Sequence, residues 1–142
     1  MNALSLVCTS LVFATCVPAA NAQSFLTDLK AEHDPVRRAK KALDFADAAF
    51  GSAQVLYAGG EIKEADSKLE DMTSALTECV RSLTTAHKWS LDKKAELRVA
   101  YLQRRIRGLV DDIAIQKRGW AEYTERRLNE IHDRILDMAI QK

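Results

Sequence analysis

The histidines and cysteines are the residues best suited to metal, redox or nucleophilic chemistry here, and their spacing decides which of these survive. A carboxylate-bridged metal bundle needs Glu and His three apart on one helix face. The residues three before His33, His87 and His132 are Lys30, Thr84 and Asn129. No two histidines lie four apart for zinc, and no Cys-x-x-Cys-His run offers haem attachment. Gly59-Gly60 lacks the Lys and Ser/Thr that a phosphate loop requires. Cys79 falls between Leu76 and Leu83 on an apolar helical stripe, so it reads as a small buried hydrophobe. The alternative is a thiol available for an intermolecular disulfide. His132, flanked by Glu130 and Asp133, reads as an exposed residue on a charged face, while His87 and Trp89 read as caps of a bundle end. The sequence thus predicts no catalytic, cofactor or metal residue and a protein that is not an enzyme.

Charge is the chemistry that remains. A formal net charge of +1 excludes a globally basic nucleic-acid binder and a globally acidic solvating chain. The charges are nevertheless segregated. Glu61 to Glu78 holds six acids against two bases, and Lys93 to Arg127 holds ten bases against five acids. One expectation is that the acidic and basic helices face each other across the bundle rim, each pair contributing little. The sharper one is that Arg104, Arg105, Arg107, Lys117 and Arg118, with Trp120 and Tyr123 beside them, form a patch for an anionic ligand.

The elements that must position these residues begin with a compartment signal. None of the first 22 residues is charged, and an apolar run from Ala3 to Val17 leads to Pro18 and then Ala20-Asn21-Ala22, a small-x-small cleavage pattern. Residues 1–22 are therefore predicted to be a signal peptide, giving a secreted or periplasmic protein after cleavage near Ala22. The alternative is membrane anchoring through this segment. Cleavage would remove Cys8 and Cys16, leaving Cys79 unable to form an internal disulfide. An exported protein also has little call for nucleic acid as partner.

Residues 23–33 form a lead-in, with Phe25, Leu26 and Leu29 spaced for one amphipathic turn, that either covers one bundle end or serves as a tether. Residues 34–142 read as a single helical-bundle domain. Asp34 is placed as an N-cap and Pro35 at the first helical position. Val36, Ala39, Leu43, Ala46, Phe50, Ala53 and Tyr57 then recur at spacings of 3 and 4. Gly59-Gly60 stops this first helix. A second follows Glu61 with Ile62, Ala65, Leu69, Met72, Leu76, Cys79 and Leu83. Two matched seams joined by so short a turn predict an antiparallel hairpin. Small residues including Ala46, Ala49, Gly51, Ser52 and Ala53 are expected to let the two axes approach closely.

Ser90 is the expected N-cap of a third helix with Leu91, Ala95, Val99, Leu102, Ile106, Leu109 and Ile113 on its seam. The last seam is Ala121, Thr124, Leu128, Ile131, Ile135 and Met138. If the helix breaks near Ile113 to Lys117, four helices of similar length close into an all-α, four-helix up-down bundle. The alternative is one rod from Leu91 to Ile140, about 75 Å long at 1.5 Å per residue, whose bare stripe would demand a homodimer. Packing favours the break.

The hairpin turn resembles one unit of a tetratricopeptide repeat. Ala53, Tyr57, Gly60, Ile62, Ala65 and Leu69 fall at the family's small, Tyr, Gly, aliphatic, Ala and large-apolar positions. The resemblance implies that these six pack one helix on the other. Ala49 stands where the family has Trp, no Pro closes the unit near Thr77, and a shift of 34 residues reveals no second copy. Since a solenoid needs about three units, the resemblance supports a hairpin rather than a peptide groove. Taken whole, the chain resembles small secreted all-helical proteins of bacteria. The expected function is that of an exported, non-enzymatic structural or protein-interaction module with partners in the cell envelope. The alternative is a binding protein for an anionic lipid head group or cell-wall polymer through the basic third and fourth helices.

Overall fold

The structure, a computed structural model, describes residues 20–141, so the proposed signal segment lies outside it except for Ala20 to Ala22. The described residues form five helices and no strand: α1 Ala20–Ala31, α2 Pro35–Ala58, α3 Ile62–Ala86, α4 Trp89–Asp112 and α5 Gly119–Ile140. The first to fourth helices expected from the seams are thus α2 to α5.

Local chemistry sets the boundaries of α2. Asp34 has an extended backbone and its carboxylate accepts from the Val36 amide at 3.0 Å, while Pro35 opens the helix. At the other end Gly60 turns with φ +79°, in the left-handed region that a side chain resists. The Gly60 amide donates to the Tyr57 carbonyl at 3.1 Å and the Glu61 amide to the Leu56 carbonyl at 2.9 Å. The chain therefore reverses within three residues, and α2 and α3 form the most extensive contact of the fold. Alanines at 39, 42, 46, 49 and 53 are buried on α2 and make that helix thin. Leu69, Met72, Leu76 and Leu83 of α3 fill the space beside it. Each buried leucine contributes roughly 2 kcal/mol from the area it removes from water. Close approach rests on these alanines alone, contrary to the role expected of Gly51 and Ser52: Ser52 is exposed, and a Cβ added to Gly51 would meet nothing within 4 Å.

The long-rod alternative is overturned. Helix α4 stops at Asp112, Ile113 is extended with φ −88° and ψ 137°, and Ile115–Lys117 form a separate 3-10 turn. Continuing the helix would carry Gln116 and Lys117 onto the stripe occupied by Leu109 and Ile113, burying polar groups without partners. The start of α4 also differs from expectation. Lys88, not Ser90, occupies the N-cap position, and no side chain caps the helix. The break before it is made by His87, whose backbone is left-handed at φ 47°.

How the two hairpins combine is a tertiary matter. Arg98 pairs with Asp44 and Asp47, Arg105 bonds to Gln54, and Thr84 touches Met138, so contacts between hairpins keep a nearly constant separation in sequence. Helix α2 therefore runs parallel to α4, and α3 runs parallel to α5. Helices α3 and α4, although consecutive, share almost no contact. The ring order is α2, α3, α5, α4, with the His87-Lys88 link crossing the diagonal. The acidic α3 and the basic α4 consequently do not face each other, which corrects the charge pairing expected across the rim. The carboxylates meeting α4 are Asp44 and Asp47 of α2 and Glu125 of α5.

Helix α1 lies on the outside of the α2–α3 hairpin. Phe25 stacks on Phe45 with ring centroids 3.9 Å apart, and Leu29 is buried. Cleavage after Ala22 would remove only the first three residues of α1 and leave both contacts in place.

Candidate functional site

The five bases expected to form an anionic-ligand patch are not one patch. Arg105 lies over the buried Phe50 ring, 4.5 Å from its centroid, and donates to Gln54 Oε1 at 2.6 Å. Arg107 pairs with Glu125 at 3.2 Å, and Arg118 with Glu122 at 2.6 Å. Lys117 sits in the 3-10 turn at the rim of a cleft of about 340 Å³ between the two hairpin turns. Arg104 points outward, 5.9 Å from the exposed Tyr101 ring. Three of the five are thus drawn into internal pairs on two different sides of α4 and on α5. Sequence proximity could not reveal this, because residues one and two apart on a helix point in different directions.

The hairpin residues sit together at the α2–α3 corner. Ala53, Tyr57, Ala65 and Leu69 are buried, Ile62 is partly buried and Gly60 makes the turn. The Tyr57 hydroxyl donates to Asp66, and burial with this bond pushes the phenol above its ordinary range.

Two buried polar groupings have no counterpart in the sequence reading. Arg38 Nε donates to Ser82 Oγ at 2.8 Å and lies 3.7 Å from Glu78 Oε1, while Arg38 Nη1 donates to the Glu32 carbonyl at 3.0 Å. This knots α1, α2 and α3 at one end. His132, expected to be exposed, is instead half-buried between α4 and α5, with Nε2 3.0 Å from Glu96 Oε1. Neither pairing has a local signature, since the partners are 44 and 36 residues apart. Trp89 caps the lower end by donating its indole N–H to the Ala139 carbonyl at 2.9 Å.

Cys79 is fully buried, and burial pushes its thiol up to about 12. Native protein at pH 8 should therefore react with a thiol reagent only at the rate of unfolding, and stoichiometric labelling within seconds would refute this. The raised value means the folded chain holds the proton more tightly than the unfolded one. Stability from this site is accordingly complete below the ordinary thiol range and declines as pH rises from about 9 toward about 12. Denaturant titrations across that interval would register the decline.

The outward line of α4 is a surface that the sequence does not single out, although the off-seam positions of its residues are legible there. Trp89, Leu97 and Tyr101 are 49%, 59% and 53% exposed and follow one another at helical spacing. Lys93 lies over the Trp89 ring at 5.5 Å, and Arg104 over Tyr101. Large apolar groups thus alternate with bases on a rigid rod. Among the described residues no cluster of three His, Cys, Asp or Glu could hold a metal ion, and no helix is long and apolar enough to cross a membrane. Comparisons with protein-family models, curated proteins and solved structures give no match to this chain.

Proposed function

We propose that this chain is an exported, non-enzymatic helical bundle that acts as a protein-interaction module in the cell envelope, using the outer face of α4. The observation that carries this reading is the Trp89, Leu97 and Tyr101 line. The bundle buries its seams, yet leaves these three large side chains in water on one regular helix. Exposed apolar and aromatic groups grouped on a rigid element are what interfaces use as anchors, with a polar rim around them. The anionic-ligand alternative has less behind it, because Arg105, Arg107 and Arg118 already have partners within the chain. The apolar run and the Ala20-Asn21-Ala22 pattern support export.

The test is a photo-cross-linking residue placed at Leu97 in the intact envelope, with Ser67, exposed on α3, as control. A discrete adduct from position 97, absent from position 67 and abolished when Tyr101 is changed to Glu, is expected. Equal labelling from both positions, or no adduct at 97, removes the proposal.

A further inference from the structure

We infer that the outer groove between α3 and α5 binds a neutral pyranose sugar of an oligosaccharide. This site is separate from the α4 face and stands or falls independently of it. Helix α5 begins just after the 3-10 turn, so Trp120 and Tyr123 lie three apart near its start and share one side. Their ring centroids are 5.2 Å apart at an interplanar angle of 41°, and they remain 39% and 45% exposed. One turn further on, Arg127 is held by its pair with Glu130. Across the groove, α3 presents Glu70, Ser74 and Thr77, enclosing with the aromatics a hollow of about 200 Å³.

The chemistry of these walls selects among ligands. A pyranose has an apolar C–H face, which suits the negative π-face of an aromatic ring, and a rim of hydroxyls that both donate and accept. Glu70 supplies acceptors, Arg127 supplies donors, Ser74 can do both, and the Thr73 and Thr77 hydroxyls, which donate to the Glu70 and Thr73 carbonyls at 2.9 Å, accept. A simple anion would meet the Glu70 carboxylate, and a cation would meet Arg127. An apolar partner helix would find no large aliphatic side chain on the α3 wall, where the lining is Glu70, Thr73, Ser74 and Thr77. An uncharged, polyhydroxylated ring is the ligand class that satisfies both walls.

The experiment uses the full chain with Trp89→Phe, which leaves Trp120 as the reporting indole of the two in the sequence. It is titrated with pentamers of β-linked glucose, α-linked glucose and N-acetylglucosamine, and indole emission is followed. A saturable shift with at least one pentamer is expected. Tyr123→Ala should weaken that binding by about tenfold, the order expected when one aromatic ring stops covering the sugar face, and Glu70→Gln should weaken it by several-fold. Lys93→Ala, on the α4 face, should leave it unchanged. No response to any pentamer at tens of millimolar overturns the proposal. So does an affinity that Tyr123→Ala and Glu70→Gln leave intact, or a response to phosphocholine or a nucleotide in place of sugars. Because both mutated side chains lie at the surface, unaltered circular dichroism will separate a binding defect from a folding defect.

Discussion

Replacing Phe50 with alanine should lower the unfolding free energy by about 4 kcal/mol, the range for emptying a fully buried aromatic site. Among the described residues Phe50 is the largest of the completely buried side chains, and it sits in the second half of α2, where the flanking Ala46, Ala49 and Ala53 cannot move in to fill the hole. The destabilisation has a second component. Arg105 covers the ring at 4.5 Å, so truncation also strips the guanidinium of its stacking surface and loosens the α2–α4 side of the bundle. Urea denaturation of Phe50→Ala, Arg105→Ala and the double variant measures both components. The double variant should be destabilised by about 1 kcal/mol less than the sum of the single variants. Strict additivity would show that the arginine merely lies near the ring. A destabilisation below about 1.5 kcal/mol for Phe50→Ala would contradict the packing described for α2.

Arg38→Ala should cost about 3 kcal/mol, more than any surface charge in the molecule. Arg38 and Glu78 keep only 16% and 7% of their side-chain surface in water. Removing one member of such a pair strands the other, and a stranded buried charge is far more costly than a missing surface bridge. Glu78 would retain Arg81 at 3.0 Å, but that partner is 65% exposed and solvated. The Ser82 hydroxyl and the Glu32 carbonyl would also be left without their donor, freeing the α1 corner. By contrast, Arg127→Ala, which breaks a surface pair with Glu130, should change stability by less than about 1 kcal/mol. Replacing both Arg38 and Glu78 with methionine should recover most of the stability, because no charge is then left buried. A double variant as unstable as Arg38→Ala would show that shape rather than charge makes the corner.

The legible parts of the fold and the hidden parts differ in physical kind. Asp34, Pro35, Gly60 and the 3-and-4 seams act within a few residues of themselves, so helix starts, stops and buried faces follow from sequence spacing. Cys79 falls on such a seam and is buried as expected. His132 departs from expectation because Glu96, on another helix, lies 3.0 Å from its Nε2 and half-buries the ring, whereas its chain neighbour Asp133 stands 4.0 Å from Nδ1. The expected patch dissolves for the same reason. Arg104, Arg105 and Arg107 look contiguous along the chain, yet Arg107 turns to Glu125 of α5, while Arg105, which shares the Tyr101 ring with Arg104, is engaged by Phe50 and Gln54 of α2.

The sequence by itself determined that this protein is all-helical and which face of each helix is apolar, and it left the break near Ile113 to Lys117 open beside a continuous rod. The helical class and the apolar faces depend on periodicity and backbone preference, which short stretches carry in full. Only the tertiary structure decided the ring order α2, α3, α5, α4, and with it the neighbours of every charged side chain. A helical seam states which side turns inward but not which helix it will meet, and two stacked hairpins bury their seams equally well with either neighbour beside them. The choice falls to side-chain volume and to pairs such as Arg98 with Asp44 and Asp47, joined across more than 50 residues. That choice sets the α4 line of Trp89, Leu97 and Tyr101 in open water and brings Trp120 and Tyr123 beside Ser74 and Thr77.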